Sequence, residues 1–308
     1  MLREDIARYK ALDFFARQVV EGFIAGRHRS PFHGFSSEFS DYRQYNTGES
    51  TQHIDWHLYA RTDRLYVRQY EEETNLRCQL VIDQSASMLF PVEGHANIAH
   101  PNKLTFSVYA AAVLVELLHR QCDAFGLTLI SNGLDQHSPC RSNQIHKQYV
   151  FQQLESLLAP LSPNQLTPSR TSFADELHLL AEQLHRRSLV VIFSDALVED
   201  SEQETLLDAL RHLRHNKHEV ILFHTFDRKH ELNLDFDNKP YKFIDLESGK
   251  QVRLQPSELA QSYSQTMNSM QSNLQKRAMQ YRVDYTPVDV AQGFDNIILP
   301  FLLKRSKM

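Results

Sequence analysis

Two uninterrupted apolar runs that each end on an aspartate constrain this chain more than any other feature. Leu80-Val81-Ile82 leads into Asp83, and Leu189-Val190-Val191-Ile192-Phe193 leads into Ser194-Asp195. Short apolar runs without polar alternation read as strands buried on both faces, as in parallel sheets. The pattern around them alternates. It predicts strands over 76–82, 125–131, 189–193 and 220–226, and helices over 103–120, 150–158, 173–185 and 202–215. This repetition predicts an α/β fold, a mostly parallel sheet flanked by helices on both sides. Such sheets bind ligands beyond the carboxyl ends of their strands, which is where Asp83 and Asp195 fall.

The loop leaving the first run reads Asp83-Gln84-Ser85-Ala86-Ser87-Met88. One carboxylate and two hydroxyls at alternate loop positions can converge on a point. Such donors suit a hard divalent cation, Mg²⁺ or Mn²⁺, and not a thiophilic metal. Between the two strands, Ser169-Arg170-Thr171-Ser172-Phe173 opens into a helix. Together, D-x-S-x-S, a loop threonine and a strand-end aspartate resemble the metal-ion-dependent adhesion site of the von Willebrand factor A domain, a Rossmann-like fold. The resemblance implies metal ligands at Asp83, Ser85, Ser87, Thr171 and Asp195, some acting through water. Two positions depart from that pattern. Ser169-Arg170 stand where glycines usually precede the threonine, and Ala196 follows Asp195 where glycine is common. Glycine permits backbone angles that other residues resist.

Upstream, residues 33–73 carry a long irregular pattern: Glu38-Phe39, Tyr42-Arg43-Gln44-Tyr45, Gly48-Glu49, Ile54-Asp55-Trp56, Ala60-Arg61-Thr62, Leu65-Tyr66-Val67-Arg68 and Glu71-Glu72-Glu73. It resembles the signature of the domain-of-unknown-function 58 family, in which this segment leads into a von Willebrand A-like domain. His53 and Glu49 stand where that family often has Arg and Asp. The expected organisation is an N-terminal helix and signature segment over 1–74, a von Willebrand A-like domain over 75–237, and a C-terminal extension over 238–308. The extension reads as two short strands within 241–253, a long helix over 256–279 and a terminal helix over 295–303.

Composition bounds the function. The 308 residues are 42% hydrophobic and 23% charged, ordinary for a soluble globular protein. A net charge of −5 disfavours non-specific nucleic-acid binding, which needs a basic face. No apolar run reaches the length of a membrane helix, and Met1–Lys10 lacks the apolar stretch of a signal peptide. Cys78, Cys122 and Cys140 have no close metal-ligand spacing and read as reduced thiols, so a cytoplasmic location is expected. His53 and His57 lack a third ligand nearby. His212, His215 and His218 end a predicted helix, where cationic side chains on a solvated face favour the dipole.

The expected function is a non-enzymatic protein-interaction module. Its Mg²⁺ or Mn²⁺ would accept a carboxylate from a protein partner. The family resemblance implies that the partner is a MoxR-type AAA+ ATPase or its client. A metal-dependent phosphohydrolase with Asp83 as nucleophile is the rival, although such sites generally read D-x-D and position 85 is Ser. A metal-free scaffold is the third reading.

Overall fold

The computed structural model describes residues 2–25, 39–44, 56–62, 65–70, 76–91, 97–131, 133–159, 173–196, 200–246 and 249–305. The chain forms two compact units, one of residues 1–31 and 77–308, the other of residues 32–76.

In the larger unit, α1 (Leu2–Ala25) comes first; the signature unit then supplies β1 (Phe39–Gln44), α2 (Trp56–Thr62) and β2 (Tyr66–Tyr70). The chain re-enters the larger unit at β3 (Arg77–Asp83) and continues through α3 (Lys103–Arg120), β4 (Ala124–Ile130), β5 (Leu134–His137) and α4 (Gln144–Ser156). Then come α5 (Phe173–Gln183), β6 (Leu189–Ser194), α6 (Asp200–His215) and β7 (Glu219–Phe226). The chain ends with β8 (Tyr241–Ile244), β9 (Gln251–Leu254), α7 (Pro256–Gln280), β10 (Asp284–Asp289) and α8 (Asp295–Arg305).

Six strands form one sheet in the order β10-β7-β6-β3-β4-β5. All neighbours are parallel except β5, which runs antiparallel to β4 at one edge. The α/β expectation is therefore met. β3 pairs with β4 on one side and β6 on the other, so the strand order reverses beside it. In an open α/β sheet that reversal opens a crevice at the carboxyl ends of the two strands.

Both sheet faces are covered. Val81, Val190, Ile192, Val220 and Leu222 face a core completed by α5, α6 and α7. Their strand neighbours point the other way: Phe193 stacks on Phe223 with ring centroids 4.8 Å apart, and Phe223 meets Phe301 of α8 at 4.7 Å. The near-continuous apolar strands are the consequence of burial on both faces. Helix α3 packs on β3 and β4 and is itself covered by α1 and α4. It is therefore buried almost all round, beyond the single apolar side that periodicity suggests. Its charged members must then be paired. Glu116 bonds Arg120 Nε at 2.7 Å and Lys147 Nζ of α4 at 2.5 Å.

Two strands escape the sequence reading. β10 contains Pro287 and is an edge strand, where a missing backbone donor is tolerated. β5, Leu-Asp-Gln-His, is a short polar edge. Helix α4 starts at Gln144, six residues before the predicted 150, because Asn143 caps it by accepting from the His146 N–H at 2.8 Å.

In the smaller unit, β1 and β2 pair antiparallel. Helix α2 lies between them in sequence, with the Thr62 hydroxyl donating to the Leu58 carbonyl at 2.8 Å. Residues 33–38, 45–55, 63–64 and 71–73 of the signature, His53 and Asp55 included, and the side chains of 39–44, 56–57 and 66–70, that of Trp56 among them, lie outside what is described.

Candidate functional site

Asp83 ends β3, and Asp195 follows directly on β6, the neighbouring strand. Both are buried at the carboxyl edge, beside the reversal of strand order. The chain leaves β3 tightly. The Gln84 N–H donates to the Ile130 carbonyl of β4 at 2.7 Å, and a single 3₁₀ turn, Ala86–Leu89, follows. Met88 anchors that turn. It is fully buried, with its sulfur 3.5 Å from the Thr225 hydroxyl of β7. Ser85 and Ser87 are thereby held with their hydroxyl oxygens 3.0 Å apart.

The Asp83 carboxylate is oriented by two donors. The Ser85 N–H donates to Oδ1 at 2.9 Å, and the Ser194 hydroxyl to Oδ2 at 2.6 Å. Ser194 in turn accepts from the Ala196 N–H at 3.0 Å. Ala196 has φ +48°, the left-handed conformation that glycine adopts more easily, so the chain keeps the turn without the usual residue. Thr171 lies outside the described residues. Four of the five sequence-derived positions, Asp83, Ser85, Ser87 and Asp195, are thus brought to one edge.

Several members of the site escaped the sequence reading. Lys103, at the first position of α3, is fully buried. Its ammonium donates to Asp195 Oδ2 at 2.7 Å and to Glu231 Oε1 at 2.5 Å. Glu231 sits in a π-helical turn, Arg228–Leu232, and its other oxygen accepts the Asp227 N–H at 2.8 Å. His224 of β7 donates from Nε2 to the Asp195 carbonyl at 2.7 Å, so its Nδ1 accepts from the Tyr285 hydroxyl at 2.5 Å. One signal was legible. A lysine in the first helical turn opposes the helix dipole and calls for an anionic partner.

Burial, and then the nearby Asp195, push the Asp83 carboxyl up to about 7. Burial pushes the His224 imidazole down to about 4, so it is neutral at physiological pH. Burial opposes the Lys103 ammonium, but Asp195 and Glu231 outweigh it and hold its pKa above the ordinary lysine value. Burial likewise raises the Glu231 carboxyl, against the pull of Lys103.

The donor set fits Mg²⁺ or Mn²⁺: the candidate ligands are oxygens only. With all groups ionised, three carboxylates (Asp83, Asp195, Glu231) face one ammonium, a surplus of two negative charges. A dication would balance that surplus and relieve the strain on Asp83. Among the described residues, this site included, no cluster of three or more His, Cys, Asp or Glu could by itself hold a metal, so an ion here would depend on the Ser85 and Ser87 hydroxyls beside the carboxylates. A cavity of about 40 Å³ adjoins the site, and Asp195, His224, Glu231, Met267, Met270 and Leu274 are among the residues that line it.

The three histidines at the end of α6 do not form the solvated face that the sequence suggests. His215 is exposed. His218 is buried and accepts the Ser188 N–H at 3.3 Å, and His212 meets His178 of α5 with Nδ1 atoms 3.1 Å apart. His212 is drawn toward His178 because α5 and α6 pack together.

Among the described residues no helix is long and apolar enough to cross a membrane. An uncharacterized protein of Mycobacterium tuberculosis is 28% identical over 203 residues, 64% of this chain and 61% of the relative. A Mycobacterium bovis protein, also uncharacterized, matches to the same extent. This chain thus spans less than two thirds of those relatives' length. Among solved structures, the conserved hypothetical protein BatB from Bacteroides thetaiotaomicron is similar with TM-score 0.44 and 15% identity, over 76% of this chain and 100% of that one. A mutant of the PilB minor pilin from Streptococcus sanguinis gives TM-score 0.36 and 9% identity, over 79% and 65%. Across residues 41–273 the sequence matches the family described as "Protein of unknown function DUF58", and the chain belongs to that family.

Proposed function

We propose that this protein is a divalent-cation-dependent protein-interaction module of the von Willebrand A type. The observation that carries the reading is the convergence of Asp83, Ser85, Ser87 and Asp195 at the carboxyl edge of two adjacent parallel strands. Bound there, a Mg²⁺ or Mn²⁺ would supply an exchangeable coordination position suited to a carboxylate of a partner. Asp83, Ser85 and Ser87 would hold the ion, with Thr171 and Asp195 completing the set directly or through water. The backbone of Ser85 and the Ser194 hydroxyl keep the Asp83 carboxylate aimed. The partner that the family resemblance suggests is a MoxR-type AAA+ ATPase or its client, and the setting we propose is the cytoplasm.

A non-enzymatic role fits Asp83 better than nucleophilic catalysis. Position 85 is Ser, where sites with an aspartyl nucleophile generally carry a second aspartate. Calorimetric titration with Mg²⁺ tests the reading. Wild type should bind and Asp83→Ala should not, with unchanged circular dichroism. Equal affinity in both would remove the metal site. A pull-down from native cells tests the partner: EDTA should release it, Mg²⁺ should restore it, and Thr171→Ala should weaken it. Recovery of the same proteins with and without EDTA would place the interface elsewhere.

A further inference from the structure

We infer that Lys103 is a built-in competitor for the cation, a positioning residue that holds Asp195 back and keeps the site's metal affinity low enough for exchange. The inference rests on the metal-site reading above and concerns how that site is tuned.

The lysine's placement is unexplained by its helix. Lys103 occupies the first position of α3, where the dipole favours anions, and no acidic residue lies in that turn. It has no exposed surface, so its ammonium has given up water completely. Such a group is retained only where anions replace its hydration. Here there are two, Asp195 Oδ2 at 2.7 Å and Glu231 Oε1 at 2.5 Å. The lysine is fixed at its other end as well. Its backbone N–H donates to the Phe90 carbonyl at 3.1 Å, beyond the turn that carries Ser85 and Ser87, and its ammonium lies 5.9 Å from the Phe90 ring centroid.

Asp195 therefore serves two cations. A metal that draws on this carboxylate meets an ammonium already bonded to it, and like charges a few ångströms apart oppose each other strongly in a buried site. Glu231 sets the balance. It takes part of the ammonium's pairing and is steadied by the Asp227 N–H at 2.8 Å. As the ion engages Asp195, Lys103 leans on Glu231. Without Glu231, the whole ammonium would fall on Asp195.

Mg²⁺ titration of four folded proteins, wild type, Asp83→Ala, Lys103→Met and Glu231→Gln, tests this by calorimetry and by the Mg²⁺-dependent rise in melting temperature. Lys103→Met should bind Mg²⁺ at least about tenfold more tightly than wild type, the order expected when one like charge is removed close to the ion. It should also melt lower than wild type without Mg²⁺ and recover more on adding it. Glu231→Gln should bind several-fold more weakly. Opposite shifts are the signature, because a purely structural lysine would weaken the site in both variants. The same dissociation constant in wild type, Lys103→Met and Glu231→Gln, with Asp83→Ala silent, overturns the role of Lys103 and leaves the metal site standing. Weaker binding by a folded Lys103→Met also overturns it. No binding by any of the four overturns both readings. Should Lys103→Met fail to fold, Lys103→Gln takes its place: tighter binding than wild type supports the inference, equal or weaker binding rejects it.

Discussion

Gly126 lies in β4 where a side chain has no room. A Cβ there would stand 2.5 Å from Gln79 Oε1 and 2.5 Å from the Ser138 carbonyl oxygen. Gln79 cannot yield easily, since it is fully buried and donates to the Thr128 hydroxyl at 2.8 Å. Gly126→Ala is expected to cost about 1–3 kcal/mol, the range for overpacking a filled core. A urea midpoint equal to wild type would mean that the Gln79 network shifts freely. Ala196 presents the converse case. Its φ of +48° is strained for an L-residue, so Ala196→Gly is expected to stabilise the fold by about 0.5–1 kcal/mol, net of glycine's greater unfolded-state entropy. A lower midpoint would show that the alanine methyl packs usefully. At this scale the sequence was informative about donors and silent about their partners. Asp83, Ser85 and Ser87 are legible because they are neighbours in the chain. Lys103 shows in the sequence only as a charge misplaced against its helix dipole; its two carboxylates do not show, because they lie 92 and 128 residues away and pairs so distant leave no local pattern.

Helix α1 docks on α3 and α4 through an apolar face and a buried charge cluster. Leu12, Ala16, Val20 and Phe23 are buried, and Phe15 meets Tyr109 and Phe294 edge-on at 5.0 and 5.3 Å. Lys147 Nζ reaches Asp13 at 3.3 Å and Glu116 at 2.5 Å. Nearby, burial and then the Asp13 carboxylate raise the Glu155 carboxyl to about 7. Between the ordinary carboxyl value, about 4.5, and 7, the folded protein holds a proton that the unfolded chain has released. Glu155 therefore makes stability fall as pH rises through that window, and the loss levels off above it. Glu155→Gln should remove this component and melt above wild type at pH 8. Parallel pH–melting curves for the two proteins would refute it. The same cluster explains why the start of α4 was missed. Its first turn carries His146 and Lys147, both buried, in place of apolar residues. His146 donates to the Phe125 carbonyl at 2.9 Å and Lys147 pairs with Glu116, so the helix is held by polar contacts to which apolar periodicity is blind.

At the scale of the molecule, a cation that binds only the folded state must stabilise it. At Mg²⁺ a hundredfold above its dissociation constant, stability should rise by about 2.7 kcal/mol. The rise should vanish in Asp83→Ala, and a wild-type melting temperature indifferent to Mg²⁺ would argue for a metal-free scaffold. The sequence by itself determined the alternation of strands and helices, the parallel character of the sheet and the oxygen donors after β3, because each is written in adjacent residues as hydrophobic period or local chemistry. Only the tertiary structure decided that β6 lies next to β3, that strand order reverses there, and that a fully buried lysine from α3 stands between Asp195 and Glu231. Those are outcomes of packing: which strand joins which edge depends on how two helical layers cover the sheet, and a buried charge is specified by anions that only the folded chain brings to it.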